Sequence, residues 1–185
     1  DLIGKSYETM LWLAGHGITF GPIYDRQSFK KDGKHIFWGG LTLAAKNEGV
    51  GLVDAEMEVF RRLGGRVRYN CAMMNLLTED GAVLGITASD ANGNQEERRA
   101  KSVVLGCGGF ESSEKLRKKY IGEHWGNAKV RGTPHNTGDG LEAAFALGAK
   151  QHGLFSGCHA TPMDLHMKDY GNLDIPHLDR KNYRK

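Results

Sequence analysis

The chain has 185 residues, 39% hydrophobic and 25% charged, the proportions of a globular protein long enough for one sizeable core. A formal net charge of +3, spread over scattered lysines and arginines, argues against a nucleic-acid surface. Cys71, Cys107 and Cys158 show no Cys-x-x-Cys spacing, which excludes a disulfide framework or zinc ribbon and fits a reducing compartment. No apolar run reaches membrane-spanning length, and no signal-peptide pattern is present. The basic clusters Arg61-Arg62, Arg98-Arg99 and Arg117–Lys119 read as solvated faces. A start at Asp1 and an uncapped end at Arg184-Lys185 read as those of a fragment.

In chain order, Ser6–Gly15 carries Tyr7, Met10, Leu11 and Leu13 at helical spacing, with Gly15 and Gly17 as caps. Ile18–Tyr24 is a short extended piece, and Arg26–Lys34 a loop or ragged hairpin ending at Asp32-Gly33. Gly51–Leu63 is the clearest helix, with Leu52, Val53, Met57, Phe60 and Leu63 on one stripe and Gly64-Gly65 at its end. Arg66–Leu77, Val83–Ser89 and Gln95–Ala100 read as three strands, separated by turn signals at Glu79-Asp80-Gly81 and Asn92-Gly93-Asn94. Val103–Leu105 predicts a buried strand that runs into Gly106, Gly108 and Gly109. A helix over Glu111–Tyr120 follows, capped by Ser112 or Ser113. Leu141–Leu147 predicts another helix and Lys150–Cys158 a strand, and from His159 the pattern is irregular.

Three stretches carry chemistry. In GCGGF (Gly106–Phe110) a strand ends in glycines and leads to a helix, where open α/β sheets meet their ligands; the alternative is a tight turn without a ligand. In TGDGLEAA (Thr137–Ala144) two glycines flank a carboxylate at a helix start, suited to an anion or a sugar hydroxyl. The alternative there is that Asp139 only caps the helix. In FWGG (Phe37–Gly40) the glycines could pass beneath a flat ring or simply anchor a loop. His159, in GCHATP, could donate to a substrate anion, carry a proton, or be an ordinary half-buried residue. The spacing of His152, His159 and His166 does not suit a shared metal, and no metal site is expected.

Taken together, SVVLGCGGF followed by a helix, then AKVRGTPHNTGDG (Ala128–Gly140) and SGCHA (Ser156–Ala160), resemble the fumarate reductase/succinate dehydrogenase flavoprotein superfamily. With IYDRQSFKKDGKHIFWGGLT (Ile23–Thr42) and GVGLVDA (Gly49–Ala55), the resemblance is to its FAD-dependent tricarballylate dehydrogenases, over about Ser6 to Leu173. It implies an α/β fold: part of a glutathione-reductase-like FAD-binding domain, a parallel sheet with a three-stranded β meander, over 1–158. The beginning of a substrate-capping domain would occupy 159–185. It also implies FAD contacts at Met73, at Cys107, Gly108 and Gly109, and at Thr137, Gly138, Asp139 and Gly140, with Gly39 and Gly40 near the flavin. His159 would hydrogen-bond a substrate carboxylate.

The GxGxxG that grips a dinucleotide pyrophosphate is absent from the sequence, as is the family's catalytic arginine, so the catalytic base is expected outside these residues and this piece alone is expected to be inactive. The implied reaction is dehydrogenation of tricarballylate to cis-aconitate, with a separate electron acceptor reoxidising the flavin, in the cytoplasm or at the membrane periphery through that redox partner. The alternatives are a related flavoprotein of corrin-ring biosynthesis and a non-catalytic α/β interaction module.

Overall fold

In the computed structural model, which describes residues 2–160 and 164–171, the chain divides by its own contacts into two units, Asp1–Tyr69 and Asn70–Lys185. In the first unit the helical spacing of the N-terminal apolar residues gives α1 (Leu2–Gly15). It ends where Gly17 takes φ +99°, a left-handed conformation that glycine adopts at little cost. β1 (Phe20–Pro22) pairs antiparallel with β4 (Leu43–Ala45). Between them lie a helical turn, α2 (Tyr24–Gln27), and a hairpin of β2 (Ser28–Lys31) and β3 (Lys34–Phe37). Within the Arg26–Lys34 stretch, Arg26 and Gln27 belong to α2, while 28–34 is therefore part of a true hairpin. Its Asp32-Gly33 turn has positive φ at both residues, the primed turn whose twist matches paired strands.

The helix expected from Gly51 begins earlier, as α3 (Glu48–Arg62), because Asn47 and Glu48 both adopt positive φ and swing the chain into it. A Cβ at Gly51 would collide with the Lys46 carbonyl oxygen, so this position requires glycine. Gly64 at φ +86° and the bond from Gly65 N to Phe60 O (2.9 Å) close the helix as its sequence predicts.

The second unit opens with the meander. β5 (Cys71–Glu79), β6 (Ala82–Asp90) and β7 (Gln95–Arg99) form one antiparallel sheet in sequential order. Asp80-Gly81 makes the first turn, again with positive φ at both residues. At the second, Asp90 Oδ1 accepts from the main-chain N–H of Asn92 and of Asn94, each at 2.9 Å. Register slips between Met73 and Asn75, which leaves Met74 as a bulge.

After the meander come α4 (Glu114–Tyr120), a 3-10 turn (Glu123–Asn127) and α5 (Asp139–Ala146), which packs on β5. Ser113 is the α4 cap, its Oγ accepting from Leu116 N at 3.3 Å; Ser112 instead donates from Oγ to Thr133 O at 2.6 Å. Aromatic rings bind this unit together. Phe155 stacks on Phe110 at 5.8 Å and meets Tyr120 edge-on at 5.1 Å and Phe145 at 6.0 Å. Such pairs add about 0.5–1.5 kcal/mol each beyond area burial.

Three expectations need correction. Val103–Leu105 is not a strand: 102–109 is extended but forms no ladder, because no described strand lies beside it to accept its main-chain bonds. Lys150–Cys158 is likewise irregular, broken by Gly153 at φ +92°. Every ladder among the described residues is antiparallel: the meander forms, and a parallel sheet is not among these ladders. Most of the stretch expected to begin a capping domain, 161–163 and 172–185, lies outside the described residues.

Candidate functional site

The GCGG turn and the NTGDG turn interlock in the second unit. Ser112 N donates to Asn136 O at 2.9 Å, and the Asn136 side-chain amide donates to the Glu111 carboxylate. Gly108 sits at φ +78°, and a Cβ there would meet Asn136 Oδ1. A Cβ on Gly140 would lie 2.9 Å from the Cys107 sulfur, and one on Gly138 would strike the Leu116 side chain. These glycines are thus required by the chain's own close packing, whatever else the site holds. Gly106 differs: nothing lies within 4 Å of its Cβ position, and φ is not positive. The sequence places Gly106 in the ligand turn, yet the resemblance implies cofactor contacts only at Cys107, Gly108 and Gly109, and no local signal distinguishes Gly106 from its neighbours.

Asp139 is not the cap of α5. Gly138 holds that position, at φ +85°, and offers no side-chain bond. Asp139 is the first helical residue, and its exposed carboxylate accepts from the Thr137 hydroxyl. The first N–H groups of α5 therefore have no side-chain cap, and a carboxylate stands beside them. Together with the ladder-free main chain of 103–107, exposed at 104, 106 and 107, this supplies donors and acceptors fitting a ligand rich in hydroxyl and phosphate groups. Met73, half-buried, pairs with Ala88 just before the bulge in β5. Gly39 and Gly40 belong to the first unit, in an exposed bend after β3. There Trp38 packs on Phe29, with ring centroids 4.9 Å apart, and not over the glycines.

His159 is exposed, yet it lines a cleft of about 460 Å³ with Glu111, Arg117, Lys129, Arg131 and Asp164. The sequence reading placed Arg117 on a solvated face; it is 6% exposed. Its guanidinium donates to the carbonyls of Glu111 (2.6 Å), Trp125 (2.7 Å) and Gly126 (2.8 Å). On the outer face of α4 the Lys118 ammonium donates to Glu114 at 2.6 Å, which holds that carboxylate below its usual range and raises the lysine. Among the described residues no group of three or more His, Cys, Asp or Glu could hold a metal, and no helix is long and apolar enough to cross a membrane.

Comparison with known proteins gives the following. A family model described as an FAD binding domain matches residues 3–166. The chain is 39% identical to a 3-oxosteroid 1-dehydrogenase of Mycolicibacterium smegmatis over 129 residues, 65% of this chain and 20% of that protein. It is 28% identical to an NADH:acrylate oxidoreductase of Vibrio harveyi, over 83% of this chain and 15% of that one. The open conformation of a flavocytochrome c3 fumarate reductase superposes with a TM-score of 0.62 at 22% identity, over 80% of this chain and 25% of that one, a likeness of fold. The chain spans about a fifth of the length of the first curated relatives it matches.

Proposed function

The chain belongs to the FAD binding domain family, with FAD as its cofactor, and on that premise we propose that the intact protein is a flavoprotein of the fumarate reductase/succinate dehydrogenase kind that dehydrogenates tricarballylate to cis-aconitate. FAD, when bound, supplies the two-electron redox chemistry. In this reading the Cys107–Gly109 turn and the open flank of Gly106 border the cofactor, and Met73 contributes main-chain contacts. The carboxylate of Asp139, positioned by the Thr137 hydroxyl, accepts from a cofactor hydroxyl, while the uncapped N–H groups of α5 face negative charge. Gly39 and Gly40 approach the flavin, a parallel sheet is completed in the intact protein, and 159–185 begins a capping domain. His159 donates to a substrate carboxylate.

The observation that carries the substrate class is the cleft of His159, where Arg117, Lys129 and Arg131 outnumber Glu111 and Asp164. An excess of cations in a partly enclosed cleft favours an anionic substrate. A second reading follows from the 39% identity to a 3-oxosteroid 1-dehydrogenase: desaturation beside a ketone on an uncharged steroid. The two separate in one experiment. Under anaerobic conditions the FAD-loaded full-length protein is mixed with tricarballylate or with a 3-oxosteroid, and flavin bleaching is followed. Bleaching by tricarballylate with cis-aconitate as product supports the proposal; bleaching by the steroid alone replaces it with the second reading.

A further inference from the structure

We infer that Glu111 and Asn136 form a clasp that fixes the Gly108–Gly109 turn for the cofactor, with Glu111 as its positioning residue, an inference that rests on the reading above that this turn borders FAD. Two successive glycines, the first at φ +78°, have no side chains of their own to limit them. The structure limits them from outside. Asn136 Oδ1 lies 2.5 Å from the place a Cβ would take on Gly108, and Glu111 Oε2 lies 2.8 Å from that place on Gly109. The same two side chains are joined to each other, the Asn136 amide donating to Glu111 Oε1. One carboxylate thus holds Asn136 with one oxygen and covers Gly109 with the other.

The other ties between the two turns lie deeper. Ser112 N donates to Asn136 O at 2.9 Å and Ser112 Oγ to Thr133 O at 2.6 Å, and Ser112 is only 8% exposed. Those bonds hold the fold, since stranding a buried partner is costly. The bond between Glu111 and Asn136 is exposed, where water competes and a hydrogen bond adds little to stability. Its root is nonetheless fixed, because the buried Arg117 guanidinium donates to Glu111 O at 2.6 Å. An exposed clasp over a glycine turn therefore acts mainly by preorganisation. The freedom of the turn is removed before the cofactor arrives, so less ordering opposes binding.

The test uses the FAD-loaded full-length protein, diluted while flavin fluorescence reports release of the cofactor. Glu111→Ala and Asn136→Ala should each raise the Kd for FAD about tenfold, with the Tm measured without FAD nearly unchanged. Glu111→Gln keeps an acceptor for the amide and should bind FAD within about twofold of wild type. The double variant Glu111→Ala/Asn136→Ala should bind no more weakly than either single one, because both remove the same contact. Wild-type affinity in Glu111→Ala, losses that multiply in the double variant, or a Glu111→Gln as weak as Glu111→Ala would each overturn the clasp. So would a fall in the FAD-free Tm large enough to account for the whole change in affinity. Gly106→Ala separates this from the premise. If it weakens FAD binding and Glu111→Ala does not, the turn borders FAD and the clasp alone falls; if neither changes FAD binding, the premise falls and the clasp with it.

Discussion

At Arg117 one buried cation satisfies three carbonyls from the loop before α4 and from the 3-10 turn. Truncation strands those acceptors, each at about 1–3 kcal/mol where water cannot reach. Arg117→Met is therefore expected to destabilise the second unit by about 3 kcal/mol or more in chemical denaturation, with Arg117→Lys recovering part of it. Asp139 makes the opposite case. Because it does not cap α5, Asp139→Ala loses only its interaction with the helix terminus, about 0.3–1 kcal/mol, and the bond from Thr137. If it accepts from the cofactor, flavin affinity falls by more than that loss. Excess FAD then raises the wild-type Tm more than the variant's. Equal rescue of both would remove Asp139 from the cofactor site.

Elements that carry their own signals formed where the sequence put them. Asp32-Gly33 and Asp80-Gly81 turn hairpins because both residues accept positive φ, and Gly64, at φ +86°, ends α3 for the same reason. Boundaries moved where a signal was not local, as when Asn47 and Glu48 started α3 ahead of Gly51. The glycines around the site show most clearly what an element demands. Gly138→Ala would place a Cβ against Leu116 at φ +85°, and the left-handed conformation alone costs about 1–2 kcal/mol. Gly106→Ala meets open space, so its effect on stability should stay within about 0.5 kcal/mol. A thermal melt and a flavin titration on each variant separate the roles. Gly138→Ala should lower the Tm, while Gly106→Ala should lower FAD affinity at nearly unchanged Tm. Unaltered FAD affinity in Gly106→Ala would take the open flank of that turn away from the cofactor.

Over the whole molecule, few side chains are buried for so many apolar ones. Among the described residues the buried hydrophobics are Ile18, Ala88, Leu116 and Met167, and neither α1 nor α3 buries a residue. Trp12, Phe60 and Leu63 line an open groove of about 530 Å³ in the first unit, and Val104 is 93% exposed. The sequence also lacks a GxGxxG to grip the pyrophosphate. The chain expressed by itself is accordingly expected to purify colourless or weakly yellow. Stoichiometric flavin absorbance would show that the GCGG and TGDG turns bind FAD without that grip.

The sequence by itself determined the meander, the helices and the joint occurrence of GCGGF, NTGDG and SGCHA, and with them the flavoprotein family. These follow from periodicity, turn residues and short motifs, which act within a few residues of themselves. Tertiary structure alone decided which glycines are packed and which is open, that Gly138 and not Asp139 begins α5, and that Arg117 is buried beneath a helix whose other basic residues face outward. It also decided that Val103–Leu105 has no ladder and that Arg131 and His159 both line one cleft. Each of those depends on which distant segment lies alongside, and a strand or a buried cation is defined by that neighbour, not by its own residues.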